Sequence, residues 1–498
     1  MTTVAQYALR PNPHLYEINT WAWLENLSSR LHGTIRLGDV PDSEWDALAG
    51  RGFDVVWLMG VWQRSPESRR LALADPNSPP LYTRALPGWT QKDVIASPYS
   101  VAAYVPDSRI GTWNDVDLVR QKLHARGMAL FLDFVGNHTA LDHPWTREHP
   151  EYYVQGTKAQ FVKNPDGFRA IDSPAGTHFI ALARDPYFPP WRDCAQLNHF
   201  SPSMRAAQID ILRTIADHCD GVRCDMAMLH LSDIFQRIWA PFIGGAKPMS
   251  AEFWADVHEH VPQLILLAEA YWGTEQRLLD LGFSFAYDKT FYDSVRALNA
   301  PAVHAALSSA LTYQSRMARF LENHDEHRAA EVFGRDRILS VGTLMGTVPG
   351  MRFYHQGELE GTPLYLPITL RMAAPRPADG VISQFFEKLL RITEHEVFHR
   401  GSWNALIVTP DNDATSGNLI VYEWRTENAW KVIAVNLAGS ASQGRVHFGQ
   451  PLTAQEYVFY DELNGVRYVR KGDELRDVGL FVRRDGFGAH VFDVSPVQ

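Results

Sequence analysis

Three carboxylic acids stand where apolar runs of this chain end: Asp225 in GVRCDMA (221–227), Glu269 in LLAEAYW (266–272) and Asp325 in FLENHDEHR (320–328). A fourth segment, LFLDFVGNH (130–138), closes in the same way on Asp133, Asn137 and His138. Each motif alone is short and weakly specific. Four in this order, each ending a strand-like stretch, point to one rim at which the acids meet. A pair of carboxyl groups flanking one glycosidic oxygen is what its cleavage requires, and three acids meeting at one rim can supply it.

The neighbours of each acid suggest its part. Arg223 lies two residues before Asp225, so on a strand both point to the same side, and charge pairing there favours an ionised Asp225, the state a nucleophile needs. A plain salt bridge at a strand end is the competing reading. Glu269 follows the apolar run LILLA, where desolvation raises a carboxyl pKa and keeps a general acid protonated; a helix-capping Glu is the alternative. Asp325 is placed to hold sugar hydroxyls in the oxocarbenium-like state, with His324 donating to a hydroxyl and Arg328 pairing with a carboxylate across the rim, although Asn-His-Asp also reads as a turn. Asp133 reads as a link between strand and loop, His138 as a hydroxyl contact or a structural imidazole, and Trp272 as core.

Such acids need elements to carry them. Eight near-continuous apolar runs read as buried parallel strands: 15–21, 53–62, 128–135, 220–226, 264–270, 283–288, 318–323 and 351–356. Amphipathic helices lie between them. WNDVDLVRQKLHARG stripes Val116, Val119 and Leu123, and Gly127 supplies its stop; residues 204–218 and 336–348 are similar. Eight βα units predict a (β/α)8 TIM barrel with its site at the strand C-termini. One connection, after the third strand, is too long and rich in Pro, Tyr, Phe and His; it reads as an inserted lobe beside the site. The expected organisation is a barrel over 1–138 and 204–400, the lobe over 139–203, and a C-terminal all-β sandwich over 401–498, where NLIVYEW, KVIAVNL, EYVFYDEL, VRYVRK and HVFDV are short alternating runs.

Composition excludes several function classes. The 498 residues are 45% hydrophobic and 21% charged, with net charge −10 and no long basic run, which argues against nucleic acid or an anionic membrane as partner. Three sparse cysteines, Cys194, Cys219 and Cys224, predict reduced thiols rather than a disulfide framework. No HxxH, HExxH or cysteine pair suggests a transition-metal site. The start lacks a basic segment followed by an apolar core, and no apolar run is long enough to span a bilayer, so a cytoplasmic enzyme is expected. The 15 Trp, 18 Tyr and 25 Phe suit both a core and a sugar-binding cleft.

The four segments, with SPYSVAAY (97–104) and VPGMRFYHQGELEG (348–361), resemble the alpha-amylase family of retaining glycoside hydrolases and transglycosidases. The resemblance runs along essentially the whole chain. It implies Asp225 as nucleophile, Glu269 as acid/base and Asp325 as transition-state stabiliser, with Arg223, His138, His324 and Tyr99 at the substrate; Arg328 joins them on its own reading, and no cofactor is expected. The implied substrate is a carbohydrate, with an α-glucosidic bond in a short α-gluco-oligosaccharide or small α-glucoside cleaved through a covalent glycosyl-enzyme. A transglycosylase or phosphorylase on the same scaffold is the alternative, and a non-catalytic barrel relative a more distant one. Two departures stand out. Many starch-cleaving members carry Lys and His where this chain has Met228 and Leu229, which favours small substrates. Many members also bind calcium through an Asp where this chain has Gln196; Asn137 matches another usual ligand, and calcium is not favoured.

Overall fold

A computed structural model describes residues 7–243, 245 and 247–497. The first six residues, which the sequence reading assigns to the barrel, and Gln498 lie outside the described residues. Eight parallel strands close a barrel: β1 (His14–Asn19), β2 (Val55–Met59), β3 (Ala129–Phe134), β4 (Gly221–Cys224), β5 (Ile265–Ala268), β6 (Phe285–Tyr287), β7 (Met317–Arg319) and β8 (Met351–His355). Each pairs with its neighbours in chain order, and β1 closes on β8. All eight fall within or against the predicted runs. The helix Trp113–His124 buries Val116, Val119 and Leu123, and Gly127 follows it with φ +74°.

The barrel interior shows how sequence phase positions chemistry. Every second residue of a strand points inward. In β3 that series is Ala129, Phe131, Asp133; in β4 it is Gly221, Arg223, then Asp225; in β5 it is Ile265, Leu267, then Glu269; in β1 it is Leu15, Glu17. The lower members pack as one apolar cluster with Trp57, Tyr287, Phe320 and Phe353. The upper members are charged. Gly221 is required by this packing, since a Cβ there would sit 2.5 Å from the Phe131 ring and 2.7 Å from the Ile265 carbonyl oxygen.

Two expectations are corrected. The run 53–62 is not one strand: it breaks at Gly60 (φ +79°), and Trp62–Arg64 leaves the barrel to pair antiparallel with Val101–Pro106. Between them lie the helices Pro66–Ala74 and Ser78–Ala85, so the connection after β2 is a second long excursion beside the predicted one. The run 15–21 also stops early, because the Asn19 side chain accepts from the Ala22 N–H (3.3 Å) and caps the helix Thr20–Arg30.

The lobe after β3 holds a two-stranded pair, His138–Ala140 with Cys194–Gln196, and a three-stranded sheet of Gln155–Gly156, Phe168–Ser173 and Gly176–Ala181. The C-terminal region packs two sheets face to face. Six strands form the larger sheet, in the order Ser402–Ala405, Leu419–Arg425, Trp430–Asn436, Ala489–Pro496, Glu456–Asp461, Val466–Lys471. Three form the smaller: Ile407–Thr409, Ser442–His447 and Leu480–Arg484. All five predicted runs belong to the larger sheet. The smaller one escapes the sequence because ASQGRVHF and its partners lack apolar alternation, although Val446, Leu480 and Val482 are buried against Val421, Val432 and Phe459. Among the described residues no helix is long and apolar enough to cross a membrane.

Candidate active site

Arg223 organises the upper end of the barrel. Its buried guanidinium donates from Nη1 to Asp225 Oδ1 at 2.6 Å, lies 2.9 Å from Glu269 Oε2 through Nη2, and reaches Asp325 Oδ2 at 3.9 Å. The three acids, separated in sequence by 44 and 56 positions, thus converge on one cation. Trp57, Tyr99 and Tyr287 surround that cation, with ring centroids 5.4, 5.2 and 5.7 Å from the guanidinium carbon.

Local backbone aims the acids. The Asp225 N–H donates to the Phe134 carbonyl (2.9 Å), carrying the β3–β4 ladder one residue past the strand. Met226 then turns left-handed (φ +44°), a strained conformation for this residue. The turn points the Met226 N–H at Glu269 Oε2 (2.6 Å). The Tyr271 hydroxyl donates to the other oxygen, Oε1, at 2.7 Å. Asp325 follows β7 in a turn whose N–H donates to Asn323 Oδ1 (2.9 Å). Its side chain is 45% exposed, whereas those of Asp225 and Glu269 are buried.

Burial and neighbours separate the acids electrostatically. Burial above all lifts the Glu269 carboxyl to about 7, against the pull of Arg223. Burial also raises Asp225 above the usual carboxylate range, with Arg223 working against it. The pairing predicted to hold Asp225 ionised is therefore present, but it does not fully offset desolvation. At Asp325 burial is opposed and outweighed by the adjacent His324, so this carboxyl lies below its ordinary value.

His324 is held from three sides. Its Nδ1 lies 2.5 Å from Glu17 Oε1, and its Nε2 lies 2.7 Å from the Tyr99 hydroxyl and 3.0 Å from Asp325 Oδ2. Burial works against its protonation, but Asp325 and Glu17 raise its pKa well above the ordinary value. Tyr99 stacks on the same ring at 5.1 Å. His138 is buried behind Tyr99, with Nε2 3.1 Å from the Tyr99 carbonyl oxygen, and burial lowers it to about 4. Asp133 accepts from Trp57 Nε1 (3.1 Å) and the Gly60 N–H (2.6 Å), linking strand and loop.

The carboxylate that Arg328 pairs with is Glu322 (3.0 Å), not one of the three acids, and Arg328 lines a cavity beside His324. It also donates to the Thr362 and Gln356 carbonyls and lies 2.8 Å from His355 Nδ1, so it fastens the loop that follows β8. Glu17, Tyr271 and Tyr287 were not read from the sequence. Glu17 lies inside LYEINTW, and its inward phase with Leu15 was the one signal available. A cavity of about 840 Å³ opens beside His324, walled by Tyr16, Asn19, Trp23, Gln356 and Tyr365.

The residues at the family's calcium position do not fit a cation. The Gln196 amide nitrogen donates toward three oxygens there, and His199 Nε2 points at one of them, so donors stand where a cation needs further oxygens.

Residues 44–364 match the family model described as alpha amylase, catalytic domain. The chain belongs to the alpha-amylase family. It is 24% identical over 362 residues to the alpha-amylase MalA of Haloarcula japonica, covering 69% of this chain and 45% of that one. To the oligo-1,6-glucosidase of Halalkalibacterium halodurans it is 23% identical over 379 residues, covering 65% and 61%. The chain thus spans about half the length of the first curated relatives it matches. The noncanonic maltogenic alpha-amylase AmyB of Thermotoga neapolitana shares the fold, with TM-score 0.68, 18% identity and coverage of 98% and 99%.

Proposed function

We propose that this protein is a retaining glycosidase that cleaves α-glucosidic bonds in short α-gluco-oligosaccharides or small α-glucosides. The observation that carries the reading is the Arg223 guanidinium in contact with all three acids. Two carboxyl groups sharing one cation favour the narrow separation of retaining enzymes, about 5 Å, over the wider gap that admits a water.

In the first step the Asp225 carboxylate attacks the anomeric carbon. Glu269, protonated near neutrality by its burial, gives its proton to the departing oxygen. In the second step Glu269, now a carboxylate, takes a proton from water, and the covalent glycosyl-enzyme opens with retained configuration. Asp325, ionised beside His324, stabilises positive charge on the ring. Tyr99 and His324 supply the stacking face and a hydroxyl donor. No metal or cofactor enters these steps.

Small substrates are favoured because Met228 and Leu229, in place of the polar pair that holds leaving-group sugars in many relatives, are apolar and buried. A relative named oligo-1,6-glucosidase supports the same side. Three buried free thiols support a reducing, cytoplasmic setting.

The test is a panel of maltose, isomaltose, sucrose, trehalose, glucosylglycerol and starch, with the anomer of the first product followed by NMR. An α-anomer from the small glucosides is expected. A first product in the β configuration, or cleavage confined to starch, sinks the proposal.

A further inference from the structure

At the root of the lobe, Gln196 places one amide nitrogen among three oxygens. Its Nε2 lies 3.0 Å from the Asn137 backbone oxygen, 3.0 Å from Asn137 Oδ1 and 3.0 Å from the Leu197 backbone oxygen. An NH₂ group has two hydrogens, so the cluster has one acceptor more than its donor serves. His199 Nε2 adds a further donor to Asn137 Oδ1 at 3.2 Å, with burial above all keeping that ring neutral. Asn137, His138, Gln196 and His199 are all buried. A buried group of convergent oxygens with a nitrogen at its centre has the form of a cation cage in which the cation's place is taken by a side chain.

We propose that the Gln196 amide acts as an internal substitute for a divalent cation, locking the lobe to the barrel without metal, and that Gln196→Asp converts the same oxygens into a calcium site. The physical reason is reach and charge. Gln is one methylene longer than Asp, so its nitrogen extends to the point where the oxygens converge. An Asp at 196 stops short of that point and leaves a space facing two carbonyls, one amide oxygen and a new carboxylate, a hard-oxygen set suited to Ca²⁺. An amide costs less to bury than an ion pair and needs no ligand from solution.

The lock bears on the site through a short chain. Gln196 stands opposite His138 in the antiparallel pair His138–Ala140 with Cys194–Gln196. Asn137, which the amide holds, directly precedes His138, and His138 Nε2 meets the Tyr99 carbonyl. The inference does not depend on which glycoside is cleaved.

The experiment compares the thermal midpoint of the full chain in EGTA and in excess CaCl₂. The wild-type midpoint is expected to be the same in both. Q196D is expected to melt lower in EGTA and to rise with the logarithm of calcium concentration. Isothermal titration with CaCl₂ should give one site in Q196D and none in the wild type. Q196L keeps the size of the side chain without its donor, and is expected to lose stability that calcium does not restore. A wild-type midpoint that falls in EGTA and recovers with calcium overturns the proposal, as does one equivalent of calcium retained by dialysed wild-type protein. A folded Q196D indifferent to calcium, or a Q196D that fails to fold with and without it, counts equally against it.

Discussion

Two clusters of buried charge sit on adjacent parts of the same rim and do different things. Around Arg223, Asp225, Glu269 and Asp325 share one guanidinium, so acid exceeds base, and one acid faces solvent. Around Arg328 two acids, Glu322 and Glu358, lie beside one guanidinium, and burial with the nearby Glu322 raises Glu358 well above the ordinary carboxylate range. Glu322 takes Arg328 (3.0 Å) and His355 Nδ1 (2.9 Å) on one oxygen and the Ala329 N–H (2.6 Å) on the other. The His355 N–H goes to Glu358 Oε2 (3.0 Å). In this second group Arg328, Glu322, His355 and Glu358 are all buried. A charged network closed off on every side is a staple. A network with surplus acid and one open edge has a place for a ligand. The contrast lies in access, and not in residue type.

The largest expected effect breaks the Arg223 cluster at its centre. Asp225→Asn should cut turnover by about 10⁴-fold or more while leaving the melting temperature within the wild-type range. Near-normal turnover removes Asp225 from the nucleophile's role. Next, Glu269→Gln should cost about 10²–10⁴-fold on substrates whose leaving group needs a proton. In the wild type, kcat/KM should fall as pH rises through about 7, because the Glu269 proton is lost there. The variant, assayed with an activated aryl α-glucoside, should lack that limb; an unchanged limb assigns it to another group. The same raised pKa favours the folded state below the ordinary carboxylate range, and that contribution is lost as pH rises toward 7.

The second cluster should respond in stability. Arg328→Met leaves Glu322 buried without its cation, and a loss of about 3–5 kcal/mol in urea unfolding is expected. Turnover per folded molecule should change far less than in the Asp225 variant. A variant of wild-type stability with activity lost would return Arg328 to the substrate side. The smallest effect lies between the clusters. Glu17→Gln removes the partner of His324 Nδ1, and a decrease in kcat/KM of about tenfold is expected. The His324 proton should then leave at lower pH, read by NMR titration of its ring; a titration that stays in place limits Glu17 to packing.

Much of this was legible in the chain because two periodicities coincide. Continuous apolar runs identified eight strands, Asp225 and Glu269 lie in the inward phase of theirs, and Asp325 follows its strand in a turn, so the three could be read as one rim before any fold was known. What stayed illegible was whatever depended on partners. Glu17 sits mid-run and reads as a strand residue until β1 and the turn after β7 meet. Arg328 carries a suggestive charge, but its choice of Glu322 over the three acids depends on where the loop after β8 lies. The three strands of the smaller C-terminal sheet bury too few apolar residues in alternation to announce themselves.

By itself, then, the sequence determined the strand order, the inward series of each strand and the residue types available at the rim, because periodicity and burial are properties of a local stretch. Only the tertiary structure decided which acid shares which cation, that burial outweighs Arg223 at Asp225, and that an amide of Gln196 stands among the oxygens of the lobe junction. Those outcomes are set by distances of 3 Å between residues tens to hundreds of positions apart, and by the removal of water around them, which no local pattern encodes.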